Sequence, residues 1–138
     1  MSLRHSVLPL AIAALLSACG GTDAPTAPAP PPTEVAAVKT PPPVYPLELA
    51  CMGVGGTTTL KVVVGTEGKP SEVTQLSSSG NPQLDEQART AVLAWQFNAA
   101  TRNGQKIPAT IQVPVSFNPP QPRPDSCFAV EERMRRGG

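Results

Sequence analysis

Proline-rich segments near both ends of the chain confine the region that can fold. Residues 20–44 consist mainly of Ala, Pro and Thr, with almost no large apolar side chains. Such a segment buries too little surface to offset its ordering entropy, so we predict a solvated, semi-rigid spacer of the polyproline type. A second proline-rich stretch begins after Asn118 and leads into a basic end. We predict that this tail is mostly mobile, except where Cys127 pins it.

The N-terminal segment resembles an export signal that ends in a lipid-attachment site. Arg4 precedes an apolar run over 7–16, which is too short to span a bilayer. The residues Leu16-Ser17-Ala18-Cys19 resemble the lipobox of bacterial lipoproteins, in which the cysteine becomes the lipidated first residue of the mature chain. We therefore predict a lipid anchor on Cys19 in the periplasm, and Gly20 after it favours the outer membrane over the inner membrane. The alternative is an ordinary secretory signal.

Composition argues against several functional classes. At 138 residues the chain holds one domain at most. The leader contains Arg4 and no acidic residue, so the rest of the chain has ten basic and ten acidic residues. This neutrality argues against binding of nucleic acid. His5 is the sole histidine, so the exported part lacks the commonest general base and metal ligand. Asp85 and Glu86 suit the first turn of a helix. We therefore predict no enzyme activity, no catalytic residues, no metal and no cofactor.

Two cysteines remain once Cys19 carries lipid. Cys51 and Cys127 form an even pair in an oxidising compartment, so we predict a disulfide between them. The bond would bracket the whole folded region. In the chain-entropy model, closing such a loop contributes about 4 kcal/mol of stability.

Alternation of apolar and polar residues predicts two strands with one buried face each. It runs over 57–64 and again over 110–117. Residues 66–70 have the composition of a turn, so a hairpin follows, with a weaker second arm over 72–78. Pro114 cannot donate a ladder hydrogen bond, so we predict that the last strand lies at an edge of the sheet.

Two other segments carry helix signals. Pro46 suits the first position of a short helix that extends to Met52. Asn81 and Pro82 suit the cap and first position of a second helix, which should end near Phe97. The predicted order of elements is therefore helix, strand, strand, helix, strand.

Several short motifs lie at specific positions along these predicted elements. They are Tyr45-Pro46, Gly68, Ser78-Ser79-Gly80, Leu84-Asp85, Trp95-x-Phe97, Asn103-Gly104 and Val113-Pro114-Val115-x-Phe117. Together they resemble the C-terminal domain of the TonB family of energy transducers. The resemblance implies an α+β fold: a small three-stranded antiparallel sheet with two helices on one face. It divides the chain into a signal peptide (1–18), a lipidated cysteine with a Pro/Ala-rich linker (19–42), a TonB-like domain (43–118) and a Pro-rich, basic tail (119–138).

The resemblance also implies a function. Members of the family bind TonB-dependent outer-membrane transporters, which offer an extended segment that adds as a strand beside the last strand of the domain. On this chain the partner-binding residues would be Thr110, Ile111, Gln112, Val113, Pro114, Val115, Ser116 and Phe117. We expect Trp95, Phe97, Val113, Val115 and Phe117 to serve the core, and Asn103-Gly104 to form a turn. The partner would be such a transporter or another periplasmic protein, in a role linked to energised transport.

The alternative is a structural or self-associating envelope lipoprotein, with a homodimer among its forms. Residues 127–130 are apolar enough to fold back as a strand that caps the sheet edge, and a bond from Cys127 to Cys51 would hold them there. The N-terminus departs from the family pattern, because a lipid site and a short spacer stand where a full transducer has a membrane-spanning helix and a long spacer.

Overall fold

The computed structural model describes residues 20–21 and 27–137. The elements follow in the order β1 (Ala36–Lys39), α1 (Leu47–Cys51), β2 (Gly56–Val64), β3 (Pro70–Ser77), α2 (Pro82–Leu93), β4 (Gln96–Asn98), β5 (Ala100–Arg102), β6 (Gln105–Ile107), β7 (Ala109–Phe117) and α3 (Ser126–Gly137). They form a three-stranded sheet and two small strand pairs, with helices packed around them.

The main sheet has the strand order β3-β2-β7 and is antiparallel throughout. β2 pairs with β7 from Gly56↔Phe117 to Val64↔Ala109 without a register shift. One face of the sheet is apolar because buried residues alternate along the strands. The sheet residues of the core are Leu60, Val62, Val64, Val73, Val113, Val115 and Phe117, and α2 adds Leu84, Ala88 and Val92.

The second predicted helix is confirmed at its start and ends earlier than expected. The Asn81 side chain accepts hydrogen bonds from the N–H groups of Gln83 and Leu84, so it caps α2. The helix ends at Leu93, and Phe97 lies in β4 instead. The Phe97 N–H donates to a carbonyl of the β2–β3 turn, a bond that a continued helix would not allow.

The C-terminal segment is a helix, so two expectations for it are wrong. Because Ser126–Gly137 form α3, the predicted tail is not mostly mobile, and 127–130 do not form a strand that caps β7. Cys127 and Val130 are one helical turn apart and are buried together with Cys51 in a second small apolar cluster, where α3 packs against α1. Apolar residues at this spacing favour a helix over a strand. The predicted disulfide is present, with 5.3 Å between the Cα atoms of Cys51 and Cys127.

The proline-rich linker contacts the domain through its main chain. β1 pairs antiparallel with β4, although the side chains of Ala36–Lys39 are all exposed. Thr33 forms a further bridge to Thr101. The prediction of a solvated spacer is therefore correct for these side chains but not for their backbone. Composition indicates only how much side-chain surface a segment can bury. Residues 36–39 are instead ordered by backbone hydrogen bonds to β4, which composition does not reveal.

The predicted signal peptide and Cys19 lie outside the described residues. Across 20–21 and 27–137, no helix has both the length and the apolar character that crossing a bilayer requires.

Candidate functional site

The outer edge of β7 is the strand edge that the sequence predicts as a binding site. β7 ends the strand order β3-β2-β7, and no residue within the described ranges pairs with its outer side. Pro114 lies within this strand, opposite Thr59 of β2. The edge position predicted from this proline is therefore confirmed, because a central strand would need the N–H that proline lacks.

The eight predicted binding residues divide into two alternating sets. Val113, Val115 and Phe117 are buried in the core and Ile111 is half-buried against it. Thr110, Gln112, Pro114 and Ser116 are exposed. The core role predicted for the first three is confirmed. None of the exposed four carries a charge, so a strand beside β7 would meet main-chain groups and neutral side chains.

The opposite edge of the sheet, on β3, is less regular. Its pairing with β2 shifts register between Thr59 and Leu60 and again between Val63 and Val64. Bulges of this kind twist an edge strand and interrupt its row of main-chain groups. Of the two edges, β7 is therefore the better acceptor for an extended chain.

A buried carboxylate joins the sheet to α2. Asp85 lies in the first turn of α2, is only 8% exposed, and accepts hydrogen bonds from four other residues. The donors are Thr58 Oγ1 at 2.7 Å, Ser79 N and Ser79 Oγ at 2.8 Å each, Ser78 Oγ, and Gln75 Nε2 at a longer 3.5 Å. Thr58 is fully buried in β2, and the two serines follow the end of β3. One side chain thus ties together two strands and a helix.

Hydrogen bonding decides the charge of Asp85. Burial alone raises the pKa of this carboxyl, but the hydrogen bonds from Ser78, Ser79 and Thr58 outweigh burial and hold the pKa well below its usual range. An ionised carboxylate only accepts hydrogen bonds, which suits a site made of donors. The sequence pattern assigns Asp85 to the helix dipole and does not reveal this role. The sequence feature that could have revealed it is the pair of motifs Ser78-Ser79 and Leu84-Asp85. The serine donors lie just before the helix cap, and the carboxylate acceptor lies just after it.

Two motif positions adopt backbone conformations that favour glycine. Gly68 has φ +76°, and a Cβ added there would overlap the carbonyl oxygen of Phe97. In return, the Phe97 N–H donates to the Gly68 carbonyl at 2.8 Å, so the hairpin turn touches β4 directly. Asn103 and Gly104 both have positive φ and join β5 to β6. They form the predicted turn, because two successive positive φ values suit a two-residue hairpin loop.

The aromatic residues of the motifs lie in the main core or pack against it. The Tyr45 ring meets Phe117 at the end of β7 edge to face, with 5.3 Å between centroids. Phe97 is buried, as predicted. Trp95 is half-buried against the core, and its indole N–H donates to the carbonyl of Pro41 at 3.0 Å. Trp95 therefore has a second contact, with the linker, that the sequence does not reveal.

The chemistry that the outer edge of β7 offers is main-chain hydrogen bonding. An extended segment beside β7 would exchange N–H and C=O hydrogen bonds with it, as in β-augmentation. Within the part of the chain that the structure describes, no three His, Cys, Asp or Glu side chains come together as a site for a metal ion.

Comparison with known proteins identifies relatives of this arrangement. The family model for the Gram-negative bacterial TonB protein C-terminal region matches residues 41–119. Protein TonB of Xanthomonas campestris pv. campestris is 42% identical over 76 residues, which covers 55% of this chain and 34% of that protein. Protein tonB2 of Pseudomonas aeruginosa is 38% identical over 77 residues, which covers 56% of this chain and 28% of that protein. The match thus spans about a third or less of the length of these curated relatives.

The fold is similar to that of a solved structure. The solution NMR structure of the Pseudomonas aeruginosa TonB C-terminal domain superposes with a TM-score of 0.50 and 22% sequence identity, covering 67% of this chain and 91% of that one. The predicted α+β fold is confirmed by this likeness. Since the family match extends over more than half of the residues, this chain belongs to the TonB C-terminal domain family.

Proposed function

We propose that this protein is a periplasmic binding module of the TonB family, with a role linked to energised transport. Its outer β7 edge would take an extended segment of a TonB-dependent outer-membrane transporter as an added strand. One observation carries the proposal: β7 is an edge strand of nine residues in unbroken register, with no described residue paired to its outer side. Family membership supports the class of partner.

Pro114 indicates which main-chain groups a partner would meet. Alternate residues of an antiparallel strand turn their N–H and C=O groups toward one neighbour and then the other, and an edge proline faces its nitrogen outward. Ser116 lies two residues after Pro114, so its main-chain groups turn to the same side. Its hydroxyl oxygen lies 2.9 Å from that of Thr57, its partner on β2, and such close side chains are typical of pairs that exchange no main-chain hydrogen bonds. We infer that Thr110, Gln112 and Ser116 turn their N–H groups outward.

The edge would recognise an extended backbone more than a particular sequence. Each main-chain hydrogen bond contributes about 0.5–1.5 kcal/mol net. A strand added along 110–117 would form only a few such bonds with outward groups, so we expect reversible binding. The neutral side chains of Thr110, Gln112 and Ser116 repel neither acidic nor basic partners.

A pair of variants at one position separates main-chain binding from side-chain binding. Gln112→Pro removes the side-chain amide and the outward N–H, whereas Gln112→Ser removes the amide alone. With a labelled synthetic peptide of a transporter's N-terminal segment, we expect Gln112→Pro to weaken binding by up to about tenfold, because one main-chain bond is lost. Gln112→Ser should bind like the unchanged protein. Equal binding by all three proteins would contradict β-augmentation at β7.

We also propose that Cys19 carries lipid and holds the module at the outer membrane. The proposal rests on the lipobox-like residues Leu16–Cys19 and on Gly20 after them. A Cys19→Ser variant expressed in a Gram-negative host should move from the membrane fraction to the soluble periplasmic fraction and lose incorporation of labelled fatty acid. A variant that stays with the membrane and keeps the label would contradict the anchor.

A further inference from the structure

Residues 33–41, here called the strap, lie along residues 95–101, here called the strip. At one end, Thr33 and Thr101 exchange two backbone hydrogen bonds of 3.0 Å, and their hydroxyls are 2.7 Å apart. In the middle, β1 pairs antiparallel with β4. At the other end, the indole N–H of Trp95 donates to the Pro41 carbonyl. The strap therefore contacts the strip at both ends and in the middle.

Few side chains hold the strap in place. All four residues of β1 are exposed, and Val38 is 60% exposed. Val35 is the strap residue that packs, half-buried, against the main core. Main-chain bonds of this kind contribute about 1 kcal/mol each, so the strap belongs to the weakly held parts of the fold.

The strip is fixed independently of the strap. On the side away from β1, the Phe97 N–H donates to the Gly68 carbonyl, and the Phe97 side chain is buried in the core. Ala99 and Ala100 are buried as well. The strip would therefore keep its shape when the strap leaves, and its main-chain groups would become a vacant strand edge.

We propose that the strip is a second, reversible site for an extended segment flanked by prolines, and that the chain's own strap is its resident ligand. The strip offers two kinds of recognition: a strand edge, and a tryptophan N–H aimed at a proline carbonyl. Aromatic residues commonly read proline-rich segments in this way. Prolines on both sides of the strap keep it extended, which lowers the entropy cost of docking.

Release of the strap would change how far the domain lies from its N-terminal end. The docked chain leaves the domain at Thr33, and the released chain would leave it beyond Pro41. An extended chain spans about 3.3 Å per residue, so release would add roughly 26 Å of free linker. This site does not depend on the outer edge of β7, because β7 belongs to a different sheet from β1 and β4.

Two valines of the strap give a matched test in the full chain. Val35→Ser removes the side chain that contacts the core, and Val38→Ser makes the same change at an exposed position. We expect amide exchange at Thr101 to become about tenfold faster in Val35→Ser, while exchange at Val62 in the central strand stays unchanged. Trp95 is the only tryptophan, so its emission should shift to longer wavelength in the same variant. Val38→Ser should match the unchanged protein in both measurements.

A synthetic peptide of residues 31–43 then tests binding from a separate chain. Added to Val35→Ser, it should restore the Trp95 emission saturably, and a peptide that carries serine at position 35 should not. Three results would overturn the proposal: equal acceleration of exchange at Thr101 and Val62, identical behaviour of the two variants, or no response to the peptide. A concentration-dependent doubling of the molecular mass would overturn the assignment of the strap to its own chain. None of these measurements reports on the β7 edge.

Discussion

Replacement of Asp85 should be among the most damaging single changes in the domain, because five hydrogen bonds converge on this carboxylate. Hydrogen bonds to a charged group contribute about 1.5–3 kcal/mol each, although bonds that share one acceptor are not additive. Asp85→Ala would leave the hydroxyl of Thr58 and the N–H of Ser79 without an acceptor, and Thr58 is fully buried. We expect a loss of about 3–5 kcal/mol in the free energy of unfolding. That is a large share of the roughly 5–15 kcal/mol that is typical of small domains.

Asp85→Asn refines this prediction. The asparagine keeps the shape and one acceptor oxygen but places an NH₂ group among donors, so we expect a smaller loss of about 1.5–3 kcal/mol. Thr58→Val removes a single donor and should cost about 1 kcal/mol. Urea unfolding at neutral pH, followed by circular dichroism and Trp95 emission with the disulfide intact, gives all three values. An Asp85→Ala variant as stable as Thr58→Val would refute the role assigned to the carboxylate.

The pH dependence gives an independent check on Asp85. Its folded-state pKa is lowered, so its contribution is complete above the unfolded pKa of about 3.9 and declines as pH falls below that value. The stability difference between the unchanged protein and Asp85→Asn should therefore shrink as the pH falls from about 4 to about 2.5. A difference that stays constant over this range would contradict the ionised state of the buried carboxylate.

Two further predictions concern the turn and the disulfide. Gly68→Ala should destabilise the domain by about 2 kcal/mol or more, because of the positive φ and the overlap with the Phe97 carbonyl. Gly65→Ala in the same hairpin has its nearest contact at 3.7 Å and should cost much less; equal effects in urea unfolding would contradict this interpretation of the turn. Reduction of the Cys51–Cys127 bond, which closes a separation of 76 residues, should cost up to about 4 kcal/mol. A double serine variant should show no response to reductant, and two free thiols in the purified, unreduced protein would rule the bond out.

Periodicity and special residues predict the central fold well. The alternation over 57–64 and 110–117 indicates one buried face, because a strand turns successive side chains to opposite sides of its sheet. Asn81-Pro82 predicts the start of α2, and Pro114 places β7 at an edge, because each residue satisfies a specific main-chain requirement. The predicted end of α2 is too late because Phe97 continues the apolar pattern, although its N–H is bound to the hairpin turn.

Parts of the molecule that depend on long-range polar contacts are not predictable in this way. The Asp85 cluster joins residues from two strands and a helix, and only the folded chain brings them together. Composition predicts a spacer for the strap because the segment around it has almost no large apolar side chains. Its order comes from the backbone of β4, the indole of Trp95 and the contact of Val35 with the core. The helix over Ser126–Gly137 is not predicted from the sequence, because four prolines precede it and its buried residues, Cys127 and Val130, span only one helical turn.

Amide exchange along β7, measured with and without the transporter peptide, tests the proposed binding edge most directly. On binding, protection should rise at Thr110, Gln112 and Ser116, whose N–H groups would pair with the added strand. The intervening amides of Val113 and Val115, which face β2, should change little. Unchanged protection at the outward amides, or a response along β3 or the strip instead, would contradict the account.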